Sequence, residues 1–147
     1  MENKKIVKII LILVFLLVII DQVSKLVINK FISNDVVLLQ NVFAISKTQS
    51  AERSFSNIAL SVLILIVVIR FAVIQKHNLQ KSTTIFLGMI IAGEVSNLLD
   101  IIFRGGAFGF MQIGDFPSIN FADCFIIIGW ILFIIDLLKK IRNVRMV

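Results

Sequence analysis

Most catalytic and structural frameworks need residues that this chain lacks. Its 147 residues include one cysteine, one histidine, one proline, one tryptophan and no tyrosine. Metal, iron–sulfur and disulfide sites need clustered ligands, so His77 and Cys124 alone build none of them, and no metal or cofactor is expected. Charge is scarce as well: charged residues are 16% of the chain and only nine are acidic. Hydrocarbon is what the chain has in excess, with 59% apolar residues, 13 of them phenylalanine, and a mean hydropathy of +1.01. A soluble fold of this length buries only about two-thirds of its chain surface, too little to hide so much apolar area. The expected solvent is lipid, with the phenylalanines as lipid-facing bulk and packing.

Four apolar stretches approach the ~20 residues that a spanning helix requires. They predict helices over about 6–22, 58–75, 84–103 and 121–139, in a single membrane domain. No small-residue cleavage site follows Ile20, so the first stretch is expected to stay as a helix rather than leave as a signal peptide. Counting Lys and Arg places Lys4, Lys5, Lys8, Arg70, Lys76, Lys81, Lys139, Lys140, Arg142 and Arg145 on one side. Lys25, Lys30, Lys47, Arg53 and Arg104 fall on the other. This asymmetry predicts cytoplasmic N- and C-termini. It also accounts for the net charge of +6 without invoking nucleic acid, since anionic lipid is the natural partner of the inner flanks.

Two outer segments remain. In 26–56, the runs Val36–Leu39 and Val42–Ile45 read as short strands, and 104–120, with four glycines and Pro117, reads as a turn-rich loop. The expected fold class is therefore a mainly α membrane protein, four transmembrane helices carrying a small extracytoplasmic β-containing cradle.

The few acids are the informative residues, because a charge inside a bilayer is costly and tends to mark function. Asp100 lies near the outer end of the third helix and Asp123 near the outer start of the fourth. At 1.5 Å of rise per residue both carboxyls sit about 5 Å inside the outer boundary. Carboxyls at one depth on adjacent antiparallel helices can face each other and share a proton, the arrangement with which an aspartyl protease activates water and protonates a leaving amine. Asn97 and Asn120 each precede one of these acids by three positions, on or near the same helix face. Asp21 and Lys25, four apart, can pair along one helix. Glu94, about 9 Å deeper than Asp100, has no evident partner. Asp21, Asp115 and Asp136 can also be read as plain helix-flanking acids, and Cys124 as a small apolar filler.

At these residues the chain resembles lipoprotein signal peptidase, or signal peptidase II, over nearly its whole length. Asp21-Gln22-Val23-Ser24-Lys25 looks like the family's first-helix motif, and Ser96-Asn97-Leu98-Leu99-Asp100 like its third-helix motif. Phe116-Pro117-Ser118-Ile119-Asn120-Phe121-Ala122-Asp123 is the most specific match, to the fourth-helix motif. The resemblance implies an aspartyl endopeptidase, a hydrolase that removes signal peptides from prolipoproteins by cutting before a cysteine carrying diacylglyceryl. It implies Asp100 and Asp123 as catalytic carboxyls, with Asn97, Asn120, Asp21 and Lys25 in support. The implied partners are the lipid-modified prolipoprotein and membrane lipid, the location is the bacterial cytoplasmic membrane with the site at the outer face, and the chain acts as a monomer.

The departures are specific. The family's Asn-x-Gly-Ala-Ala-Phe segment aligns with Ser50-Ala51-Glu52-Arg53-Ser54-Phe55, in which Phe55 alone is kept as a site element. The arginine expected after Asp100 is Ile101, with Arg104, one turn on, as candidate substitute. The aspartate usual in the second outer loop is Gly109, and Glu94 stands where the family has a small residue. The alternative is therefore a catalytically altered member that binds lipidated helices or assists another membrane protein. An intramembrane protease of the Gly-x-Gly-Asp type fits less well, since Gly114-Asp115 lacks the first glycine. A Ser24–Lys25 hydrolase is weaker again, because neighbours on a helix point about 100° apart.

Overall fold

The computed structural model describes residues 2–31, 37–39, 43–52, 55–75, 80–113 and 118–145. Helix α1 runs Glu2–Phe31, α2 Phe55–Ile74, α3 Lys81–Arg104 and α4 Phe121–Arg145. Strands β1 (Val37–Leu39), β2 (Phe43–Glu52) and β3 (Gly106–Ile113) form an antiparallel sheet in the order β1-β2-β3. Three helical segments are long and apolar enough to cross a bilayer: Val7–Lys30, Lys81–Arg104 and Phe121–Asn143. The apolar part of α2, Ile58–Ile74, is shorter.

Burial is inverted relative to a water-soluble fold. Large apolar side chains such as Leu11, Phe15, Leu63, Ile74 and Phe103 are exposed, while Asp21, Lys25, Ser96, Asp100 and Asn120 are buried almost completely. With lipid outside, exposing hydrocarbon costs nothing, and the interior is left to polar groups that lipid cannot satisfy. Helix α3 is the central element: 56% of its apolar stretch is buried, against 6% for α1 and 11% for α4. A small apolar cluster of Val68, Leu87 and Ile90, packed by Phe71, Trp130 and Phe133, ties α2, α3 and α4 together. Phe71 meets Phe133 edge-to-face at 5.3 Å.

Two glycines let α3 and α4 touch. A Cβ on Gly93 would stand 2.5 Å from the Ala122 carbonyl oxygen, and one on Gly129 would stand 3.0 Å from the Phe86 carbonyl oxygen. Small residues at such crossings are how membrane helices gain close packing without a hydrophobic driving force. Gly105 (φ 84°) then ends α3 in the left-handed region, and the chain turns directly into β3.

Three boundaries differ from expectation. Helix α1 does not stop near residue 22 but continues to Phe31, because the polar residues after Asp21 include no glycine or proline to break it. Hydropathy locates where lipid ends, and α1 at about 45 Å outlasts a ~30 Å hydrocarbon core. Helix α4 likewise runs through its basic end to Arg145. The glycine-rich 104–120 segment is not only turns: β3 occupies Gly106–Ile113 and pairs with β2 through Ala44↔Gln112 and Thr48↔Gly109. Gly109 sits inside that strand because a Cβ there would lie 2.6 Å from the Ser118 carbonyl oxygen, a close backbone approach rather than a turn.

The sheet positions the start of α4. Phe110 and Met111 N–H groups both donate to the Ile119 carbonyl, at 3.0 and 2.9 Å, and Ile119 N–H returns a 2.7 Å bond to Met111. Phe110, buried, packs edge-to-face on Phe121 at 5.4 Å.

A candidate active site in a buried polar layer

Three helices deliver polar side chains to one layer at the sheet end of the bundle. Spacings of four put Asp21 and Lys25 on one face of α1, and Ser96, Asp100 and Arg104 on one face of α3. Asn120 and Asp123 open α4.

Lys25 is the hub. Its ammonium binds Asp21 Oδ2 at 2.6 Å, Asp100 Oδ2, and Asn97 Oδ1 at 3.4 Å, which uses all three of its donors. Asp21 also accepts from the Ser96 hydroxyl at 2.6 Å and from the Ala122 N–H at 2.9 Å, so one carboxylate joins α1, α3 and α4. Asp100 is ion-paired twice, to Lys25 and to Arg104, and accepts a third bond from the Gln22 amide at 3.0 Å.

Asp123 is held differently. Its Oδ1 accepts from the Asn97 amide at 2.7 Å and its Oδ2 from the Asn120 N–H at 2.9 Å, while Asp123 N–H donates to Asn120 Oδ1 at 2.8 Å. The last two bonds are a reciprocal capping box on α4. Asn120 reaches further, its amide donating to Asn97 Oδ1 and to the Phe108 carbonyl, both at 3.1 Å. Asp100 and Asp21 are fully buried, whereas Asp123 is half-buried, and among the described residues each of its oxygens accepts a single hydrogen bond.

The structure thus gathers Asp21, Lys25, Asn97, Asp100, Arg104, Asn120 and Asp123 into one network. Asp100 and Asp123 are linked through Lys25 and Asn97: the Lys25 ammonium donates to Asp100 and to Asn97 Oδ1, and the Asn97 amide donates to Asp123. Arg104, one turn along from Asp100, forms an ion pair with that carboxylate. Phe55 starts α2, but its side chain, with Arg53, Ser54 and the Phe116-Pro117 part of the fourth-helix motif, lies outside the described residues.

Gln22 and Ser96 were not singled out by sequence reasoning, although Ser96 lies four before Asp100 and Gln22 three before Lys25. That spacing is the signal that could have found them. Glu94 also acquires surroundings: it is buried, hydrogen-bonded with Ser61 of α2, and in electrostatic contact with Asp123. Asp136 pairs with Lys140 at 3.2 Å and accepts from Thr83 at 2.5 Å, as a flank residue at the opposite end of the bundle. Among the described residues no group of His, Cys, Asp and Glu is arranged to hold a metal ion.

Comparison with known proteins places this geometry. The signal peptidase (SPase) II family matches residues 13–139. The lipoprotein signal peptidase of Borrelia hermsii is 33% identical over 156 residues, covering 90% of this chain and 91% of that protein. The lipoprotein signal peptidase of Halothermothrix orenii is 28% identical over 137 residues, covering 88% and 94%. A solved bacterial membrane enzyme superposes with a TM-score of 0.79 at 25% identity, over 92% of this chain and 91% of that one. The chain is therefore a multi-pass membrane protein that belongs to the signal peptidase II family.

Proposed function

We propose that the protein is an aspartyl endopeptidase that removes signal peptides from diacylglyceryl-modified prolipoproteins, cutting before the lipidated cysteine. The observation that carries this reading is Asp123, a half-buried carboxyl beside the fully buried Asp21 and Asp100, oriented by Asn97 and Asn120 and, among the described residues, accepting one hydrogen bond on each oxygen. Asp123 meets the attacking water and the scissile bond. Asp100 is the second catalytic carboxyl, as its motif implies, and it is also a structural clamp. Fully buried and clamped by Lys25, Arg104 and Gln22, it fixes Lys25, which fixes Asn97, which aims Asp123. The layer and the sheet face the outside of the bacterial cytoplasmic membrane, and the basic end with Lys139, Lys140 and Arg142 faces the cytoplasm. One chain supplies every group of the layer, so a monomer suffices.

The test is cleavage of a diacylglyceryl-modified prolipoprotein by the full chain in lipid, alongside thermal melting. Asp123→Asn is expected to abolish cleavage and leave melting near that of the parent. Asp100→Asn is expected to lower both, since it breaks the clamp. The second reading is a binding member without catalysis, favoured by the saturation of Asp100 and by Gly109 where relatives of this type carry an aspartate. It prevails if the parent binds the substrate, leaves it uncut, and Asp123→Asn binds equally well.

A further inference from the structure

Two neutral residues stand between helix α1 and the carboxyls of the layer. Gln22, half-buried on α1, directs its amide nitrogen at three oxygens of α3: the Ser96 carbonyl at 3.2 Å, the Ser96 hydroxyl at 2.9 Å and Asp100 Oδ1 at 3.0 Å. Ser96, fully buried, passes a 2.6 Å bond on to Asp21 Oδ2. Neither residue is needed to balance a charge, since Lys25 and Arg104 already pair with Asp100, and Lys25 pairs with Asp21.

Chemistry fixes the direction of this chain of bonds. A carbonyl oxygen only accepts, so the nitrogen and not the oxygen of the Gln22 amide faces α3. An amide nitrogen only donates, so the Ser96 hydroxyl accepts from Gln22 and gives its own proton to Asp21. Asp21 accepts in turn from the N–H of Ala122, the residue before Asp123. One end of the chain therefore grips Asp100 Oδ1, and the other ends on the backbone that carries Asp123.

We propose that Gln22 and Ser96 are positioning residues for the two catalytic carboxyls, a role resting on the endopeptidase reading above. The ammonium of Lys25 is a compact charge on a flexible stem, which attracts Asp100 without fixing the plane of its carboxyl. The Gln22 amide is planar and is anchored twice on Ser96, so it sets the direction in which Asp100 Oδ1 points. Through Asp21 the same chain sets where α4 begins, and with it the place of Asp123. Two carboxyls acting on one water and one scissile bond must be aligned together, and a displacement of about 1 Å costs on the order of 100-fold in rate. Without Gln22 or Ser96 the carboxyls keep their ion pairs and lose their alignment.

The experiment uses the full chain in lipid with the diacylglyceryl-modified prolipoprotein and compares Gln22→Met, Ser96→Ala and the double variant with the parent. Each single variant is expected to lower kcat by about 10- to 100-fold with KM changed by no more than about twofold. Each should also melt within about 5 °C of the parent, because Asp21 and Asp100 keep their ion pairs. The double variant should be little slower than the slower single, since both changes cut one chain. Methionine fills nearly the space of glutamine, so a packing role alone would leave kcat of Gln22→Met near that of the parent. A parent that cleaves overturns the positioning role, and leaves the endopeptidase reading standing, under any of three results: single variants that keep kcat, losses that multiply in the double variant, or melting that falls by more than about 5 °C in step with kcat. A parent that binds the substrate without cleaving it overturns both.

Discussion

Replacing Lys25 by methionine tests whether the buried layer holds the helices together. The substitution shortens the side chain by one heavy atom and removes three donors at once. In the native layer Lys25 serves Asp21, Asp100 and Asn97 while 1% exposed, so no water replaces the lost ammonium. Removing one partner of a buried pair costs about 3–5 kcal/mol, because a charge is left uncompensated. Here Asp100 keeps Arg104 as counter-ion along with Gln22, and Asp21 keeps two neutral donors, the Ser96 hydroxyl and the Ala122 N–H. The lower end, ~3 kcal/mol, is the expected loss. For a domain of this size that corresponds to a fall in melting temperature of roughly 6–12 °C. A double-mutant cycle with Asp100→Asn isolates the pair and should give a coupling of about 1–3 kcal/mol. Thermal melting in lipid-like micelles provides the readout. A Lys25→Met protein that melts within 2 °C of the parent, or strictly additive single effects (within ~0.5 kcal/mol), would refute the clamp.

Other outcomes follow from the same contacts. Asn120→Ala removes the side-chain half of the capping box and two further hydrogen bonds, and is expected to cost about 1–2 kcal/mol in melting and to slow cleavage by freeing Asp123. Gly93→Ala places a methyl 2.5 Å from the Ala122 carbonyl oxygen, so α3 and α4 must separate; a loss of about 1–3 kcal/mol is expected, and an unchanged melting temperature would contradict the packing described for these helices.

The architecture was legible in the sequence to the degree that lipid decides it. Hydrocarbon runs located α1 to α4, and the runs at 36–45 foretold β1 and the start of β2. The ends of α1 and α4 were not legible, because leaving lipid does not end a helix. Strand β3 was hidden by glycines that suggest turns; only the approach of Ser118 explains why Gly109 is needed inside a strand. In the site, spacing of three and four identified Asp21, Lys25, Asn97, Asp100, Asn120 and Asp123 as one layer, and the structure gathers them there. What spacing could not supply is the rotation of α3 about its axis. That rotation brings Asp100 to Lys25 of α1 and Asn97 to Asp123 of α4. Depth on paper is shared by many residues, but facing depends on helix packing, here on Gly93 and Gly129.

Arg104 shows how an ion pair to Asp100 can form from one turn along the helix rather than from the next residue. Ile101 follows Asp100 directly and is buried, so it points away from the carboxylate, whereas position 104 returns to the face of Asp100 after one turn. The guanidinium, about one-third exposed, closes the clamp at its open side. Its removal should therefore cost far less stability than removal of Lys25.

The most direct measurement of the central claim is the mass of the products formed when the full chain, in lipid, meets a diacylglyceryl-modified prolipoprotein. The account predicts two fragments, a released signal peptide and a mature chain beginning at the lipid-bearing cysteine, with neither formed by Asp123→Asn. An uncut substrate with the parent protein, or equal cutting by parent and Asp123→Asn, would contradict it.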